Sequence, residues 1–181
     1  MAYYLSLIIG KLGFLGSYNY PSLAKVGINI RFKEHLFLPM PADRLSVRKR
    51  FDTRVAVLKL FPGIGPEVVN AVLQAPDLQG VVIETYGSGN APTDAWFIDA
   101  LDKAIQRGII VLNVTQCKAG AVKMRQYAAS CDMDRIGVIG GADITIEAAI
   151  TKMMCLLGEY PNDKEHVRLR LGQSLRGEMT V

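Results

Sequence analysis

Residues 80–90 read Gly80-Val81-Val82-Ile83-Glu84-Thr85-Tyr86-Gly87-Ser88-Gly89-Asn90. An apolar, β-branched run turns polar over three residues and then becomes glycine-rich. A strand with no polar alternation is buried on both faces, as in a parallel sheet. The glycines after it permit close backbone approach, and Asn90 offers both a donor and an acceptor.

The same unit recurs on either side. Upstream, RVAVLKLF (54–61) is β-rich, and Pro62 to Gly65 is a loop. Pro66 suits the first position of a helix, with Glu67 favourable at its positive end. Val68, Val69, Val72 and Leu73 give that helix an apolar face, and Pro76 stops it. Downstream, the spacing of Trp96, Phe97, Ala100, Leu101, Ala104 and Ile105 predicts a helix from about Pro92 to Arg107, ended by Gly108. Ile109 to Val114 is a third strand, and Thr115-Gln116-Cys117 leads into a loop and a short helical stretch near Tyr127. Ile136 to Ile139 is the fourth strand. Asp143 or Thr145 then caps a helix with Glu147 in its first turn. Asp163 to Leu175 reads as a final charged helix.

This alternation predicts a three-layer, flavodoxin-like α/β domain with a four-stranded parallel sheet, helices on both faces and right-handed crossovers. Ligands of such sheets bind beyond the carboxyl ends of the strands. Four loops qualify: 62–65, 84–91, 113–120 and 140–145. Residues 1–53 break the pattern, with prolines at 21, 39 and 41, and read as an arm and connector to an α/β domain at 54–181. Within the arm, Val26 to Phe32 and Leu36 to Leu38 are candidate strands.

A length of 181 residues fits one domain plus an extension, and 50% apolar with 21% charged residues predicts a packed core. Net charge is only +4. Arg44, Arg48, Lys49, Arg50 and Arg54 cluster, but without interleaved aromatics or a binding motif, so a solvated face is expected and no nucleic-acid partner. Cys117, Cys131 and Cys155 form no metal or disulfide pattern, which favours free thiols in a reducing compartment. The opening MAYYLSLIIGKLGFLG (1–16) has an apolar run of about ten residues, too short for a membrane span. It is read as a buried segment or a start that is not the native one, with an atypical signal peptide as the alternative.

Two loops carry polar side chains at adjacent strand exits: Glu84, Thr85 and Tyr86 on one, Thr115, Gln116 and Cys117 on the other. Together they suit a small polar ligand with an amine or amide group. Gly87-Ser88-Gly89 is a GxG, but Pro92 stands where the dinucleotide fingerprint needs a third glycine. Without a phosphate-binding loop a nucleotide-binding reading has no support. Cys117 has no histidine or aspartate beside it and is read as a buried structural thiol. Lys123 and Lys152 are expected on solvated helix faces, and Asp143 as a cap rather than an anion site.

ETYGSGNAPT (84–93), LNVTQCKAGAV (112–122), GVIGGADITIEAAITKMMCLLG (137–158), LRGEMT (175–180) and KLFPGIGPEVV (59–69) are collinear motifs. They resemble the C-terminal domain of type I, cytoplasmic L-asparaginases; SYNYPSLAKVGINI (17–30) is similar to the segment where that family leaves its N-terminal domain. The resemblance implies an amidohydrolase that converts L-asparagine to L-aspartate and ammonia without metal or organic cofactor, acting as a homo-oligomer in the cytoplasm. The family's nucleophilic threonine lies in a TGGT-like motif of its N-terminal domain, and that motif is not in this sequence. No catalytic residue is therefore assigned here. The chain is expected to be a fragment that is inactive alone, with asparaginase N-terminal domains or full-length subunits as partners. The alternative is a non-catalytic ligand-sensing or interaction module derived from this domain.

By family position, Asn90 is the candidate contribution to a neighbouring subunit's substrate site. Glu84, Thr115, Gln116 and Cys117 match a regulatory asparagine site. The bacterial pattern has arginine where this chain has Glu84. Arginine would clamp the ligand carboxylate bidentately, whereas Glu84 would repel it. Animal relatives resembling lysophospholipases also carry glutamate there.

Overall fold

The computed structural model describes residues 21–40, 46–124 and 128–180. The apolar run at 1–16, Arg44 of the basic cluster and Tyr127 lie outside these residues. Strands β3 (Val55–Lys59), β4 (Gly80–Thr85), β5 (Ile110–Thr115) and β6 (Ile139–Gly140) form one parallel sheet in the order β3-β4-β5-β6. The helices are α1 (Pro66–Leu73), α2 (Ala95–Gln106), α3 (Ala128–Ile136), α4 (Ile146–Glu159) and α5 (Lys164–Leu171).

Period-two alternation along the strands splits the core into two layers. Val81, Ile83 and Val111 pack with Val69 and Leu73 of α1, Phe97 and Leu101 of α2, and Met133 of α3. Val82, Ile110, Leu112 and Val114 face the other way, onto Met153 and Leu156 of α4 and Val167 and Leu171 of α5. Each such fully buried side chain stabilises the fold by roughly 1.5–3 kcal/mol relative to exposure. The expected three-layer α/β architecture with a four-stranded parallel sheet is what forms.

Several boundaries differ, each for a local reason. The fourth strand is shorter and later than Ile136 to Ile139, because Ile136 completes α3. Gly137, at φ +95°, turns the chain out of that helix, and the N–H of Val138 donates to Met133 O at 2.9 Å. The N-cap of the next helix is Thr145, whose Oγ1 accepts from Ala148 N at 3.3 Å, rather than Asp143. The last helix stops at Leu171 rather than Leu175. In the arm, Val26 to Phe32 is a hairpin, not one strand: β1 (Ala24–Val26) and β2 (Ile30–Phe32) pair antiparallel around Gly27, Ile28 and Asn29. Leu36 to Leu38 is not a strand; Glu34–Leu36 is a 3-10 turn whose N–H groups are satisfied locally, Leu36 N donating to Lys33 O at 3.0 Å. Val26, Ile28, Ile30, Phe32 and Met40 of the arm are exposed. Its last residues are fixed to α4: Asp52 N donates to Met154 O at 2.9 Å, Arg48 pairs with Glu159, and a Cβ on Gly158 would fall 2.7 Å from the Arg50 backbone.

Lys152 is not on a solvated face, as helical spacing led us to expect; it is 6% exposed. Its Nζ donates to Leu171 O at 3.0 Å and Gln173 O at 2.5 Å, and pairs with Glu178 Oε1 at 2.8 Å. Those two carbonyls belong to the end of α5 and the turn after it. The Glu178 carboxylate also accepts from the N–H groups of Leu175 and Arg176. Burial opposes its ionisation, but Lys152 and these donors outweigh burial and hold the carboxyl below its ordinary range. LRGEMT is thus a tail folded around one buried ion pair.

Removing one member of a buried pair strands the other charge. Glu178→Ala is expected to cost about 3–5 kcal/mol in urea unfolding, and Lys152→Met with Glu178→Leu to recover most of that loss. The depressed folded-state pKa means that Glu178's contribution is present above its ordinary value of 4.5 and lost as pH falls through the lower folded value. The gap between wild type and Glu178→Ala should therefore close on acidification. A gap under about 1 kcal/mol at neutral pH would reduce the pair to the worth of a surface one.

Candidate functional site

Three parallel strands end side by side, and the Gln116 side chain ties their exits together. Its Nε2 donates to Leu60 O at 2.6 Å and Glu84 O at 2.9 Å, bridging the exits of β3 and β4 from the exit of β5. The Thr115 hydroxyl donates to Gly87 O and accepts from Cys117 N at 3.0 Å. Glu84 sits opposite Lys59 in the register, with 3.5 Å between carboxylate and ammonium. Glu84 and Thr115 therefore leave the sheet on opposite faces: Glu84 on the Val82 side, Thr115 on the side of Asn113 and Ile83. The main chain brings the two together, through Gln116, but their side chains do not converge. Cys117 is exposed rather than buried, because it follows the strand and neither helix layer covers it. Lys123 is exposed, but it lies in the loop before α3 rather than on a helix face.

The glycine-rich loop is a closed turn. Tyr86 and Asn90 exchange both main-chain hydrogen bonds at 2.8 Å, with Gly87 at φ +50° and Gly89 at φ +101° between them. Side chains rarely adopt the Gly89 conformation, and a Cβ there would also meet Val122 Cγ1 at 2.8 Å. Beneath the turn lies a buried polar pair. Thr85 Oγ1 donates to Asn113 Oδ1 at 2.7 Å, and Asn113 Nδ2 donates to Gly89 O at 3.4 Å. Asn113 was not singled out above. Its signal was a lone amide inside the otherwise apolar run Ile110 to Val114. Asn90 itself is exposed, with Oδ1 accepting from Ala91 N at 3.1 Å and Nδ2 unengaged among the described residues.

The strand ends do not bring a nucleophile to a base. His35 lies in the arm's 3-10 turn, and His166 lies on α5 against Tyr160, ring centroids 4.3 Å apart. Among the described residues no three His, Cys, Asp or Glu side chains converge as metal ligands, and no helix is long and apolar enough to cross a membrane. What the loops offer is a braced rim of main-chain groups with one unencumbered amide, suited to completing a site rather than forming one.

Comparison with known proteins follows this geometry. Residues 54–169 match the family described as the glutaminase/asparaginase C-terminal domain. L-asparaginase 1 of Escherichia coli is 39% identical over 162 residues, which covers 90% of this chain and 47% of that protein. The human 60 kDa lysophospholipase is 40% identical over 159 residues, 87% of this chain and 27% of that protein. The crystal structure of L-asparaginase I from Vibrio cholerae superposes with a TM-score of 0.84 at 37% identity, covering 92% of this chain and 50% of that one. The chain spans about half the length, or less, of the curated relatives it matches. Motifs, fold and relatives agree: this chain belongs to the glutaminase/asparaginase family, and residues 54–169 are the family's C-terminal domain.

Proposed function

We propose that this chain is the accessory half of a cytoplasmic L-asparaginase, working in hydrolysis of L-asparagine to L-aspartate and ammonia with the nucleophile supplied by an N-terminal catalytic domain. The observation that carries this is the Tyr86–Asn90 turn. It is locked on three sides, and it presents an exposed Asn90 with a donor amide unused by the fold. Such a group suits hydrogen bonding to a polar substrate held by a neighbouring subunit in a homo-oligomer. The exposed apolar side chains of the arm, Val26, Ile30 and Phe32 among them, are the surface that would meet the catalytic domain.

The positions of the family's regulatory asparagine, Glu84, Thr115, Gln116 and Cys117, are proposed to have become structural. Both hydrogens of the Gln116 amide and the Thr115 hydroxyl are committed to carbonyls of the neighbouring loops. Glu84 sets a carboxylate where a ligand carboxylate would need a cation.

The purified 181-residue protein is expected to release no ammonia from asparagine. Substituting residues 54–180 for the matching half of the Vibrio cholerae enzyme should yield an active chimera, and Asn90→Ala in it should lower kcat/KM by about a hundredfold. Ammonia release by the chain alone, abolished by changes inside it, would overturn the accessory role. An active chimera indifferent to Asn90→Ala would remove Asn90 from the site.

A further inference from the structure

The tail motif LRGEMT is distant in sequence from every loop considered so far, and the proposed function does not use it. Its last bonds nevertheless end at a strand-exit loop. Thr180 N donates to Asp143 Oδ1 at 2.5 Å, and Thr180 Oγ1 donates to Asp143 Oδ2 at 2.7 Å. We infer that residues 172–180 form a strap that sets the position of the Gly87–Asn90 turn from the opposite layer of the domain.

The connection runs through the Asp143 carboxylate and then through main-chain bonds and Val122. The strap is held at its base by the Lys152–Glu178 pair and by Met179, which is buried in the α4–α5 core. Asp143 follows Ala142, a non-glycine residue at φ +50°. That conformation is unfavourable for a side chain and persists only where the surroundings hold it. Three contacts on its flanks do so: Gly141 N donates to Asn113 O at 2.8 Å, Ile144 N donates to Gly141 O at 3.0 Å, and Asp143 grips Thr180. Held this way, Ala142 O accepts from Val122 N at 2.7 Å. The next residue, Lys123, donates its N–H to Ser88 O at 2.9 Å, and Val122 packs directly on Gly89. Thr180, Asp143, Ala142, Val122 and Gly89 thus form one continuous path to the residue before Asn90. Freeing Asp143 from Thr180 removes one of these holds on Ala142 and loosens the placement of its carbonyl against Val122. The turn then loses the support on its outer side. This path is independent of the role proposed for Asn90.

Residue-resolved hydrogen exchange on the whole chain tests it. Asp143→Ala removes both bonds to Thr180, and Thr180→Val removes one while leaving the carboxylate in place. Exchange at Val122 and Lys123 is expected to accelerate about tenfold or more in Asp143→Ala and by less in Thr180→Val, with amides of β4 and α2 unchanged. Asp143→Asn, which keeps an acceptor for Thr180 N, should restore part of the protection. Acceleration confined to residues 175–180, or a uniform rise across all elements that tracks a fall in Tm, would overturn the strap as a positioning device. If Asp143→Ala does not fold, the Thr180→Val profile decides between the same two outcomes.

Discussion

A parallel sheet ends in carbonyls that no further strand will pair, and this domain answers that constraint with side chains at the strand exits. Gln116 donates to Leu60 O and adds a second donor to Glu84 O, which already accepts from Leu60 N at 3.0 Å, and Thr115 donates to Gly87 O in the turn beyond β4. Leaving a buried carbonyl unpaired costs on the order of 1–3 kcal/mol. Two short polar side chains therefore hold three loops in place, and the loops hold the rest of the rim. The polarity at these positions is a property of the fold first, and any binding role has to compete with it.

The sheet order sharpens the point. The strands run β3-β4-β5-β6 without reversal, and α1, α2 and α3 all cross on one face. Crevices in open α/β sheets form where the order reverses and successive crossovers part to opposite faces. No such parting occurs between β3 and β6, so the exits make a flat, braced rim instead of a cleft. Such a rim suits the proposed role of facing another surface, with an exposed Asn90 on a locked turn and an arm that presents apolar side chains.

The parts of this arrangement that repeat were legible in the sequence. β3, β4 and β5, with α1, α2 and α4, announce themselves because buried strands are apolar throughout and their helices have one apolar face. Elements governed by single contacts were not. The end of α3 and the start of β6 turn on Gly137, which sits inside Ile136 to Ile139, the run read as the fourth strand. Lys152 follows the helical pattern as a polar residue, and only Glu178, twenty-six residues later, explains why it is inside. The hairpin at Gly27 to Asn29 was missed because three-residue strands carry too little periodicity to see. At the site, residue identities pointed to the strand-exit loops, but alternation along β4 and β5 sends Glu84 and Thr115 to opposite faces. That separation depends on register, which pairwise spacing does not reveal.

The claim on which this account rests is that Thr115 and Gln116 belong to the scaffold and no longer hold a ligand. Calorimetric titration of the chain with L-asparagine measures that directly. The account predicts no saturable heat at ligand concentrations below about 1 mM, the weak end of specific recognition. Saturable binding at micromolar asparagine, abolished by Thr115→Val in a protein of unchanged Tm, would contradict it.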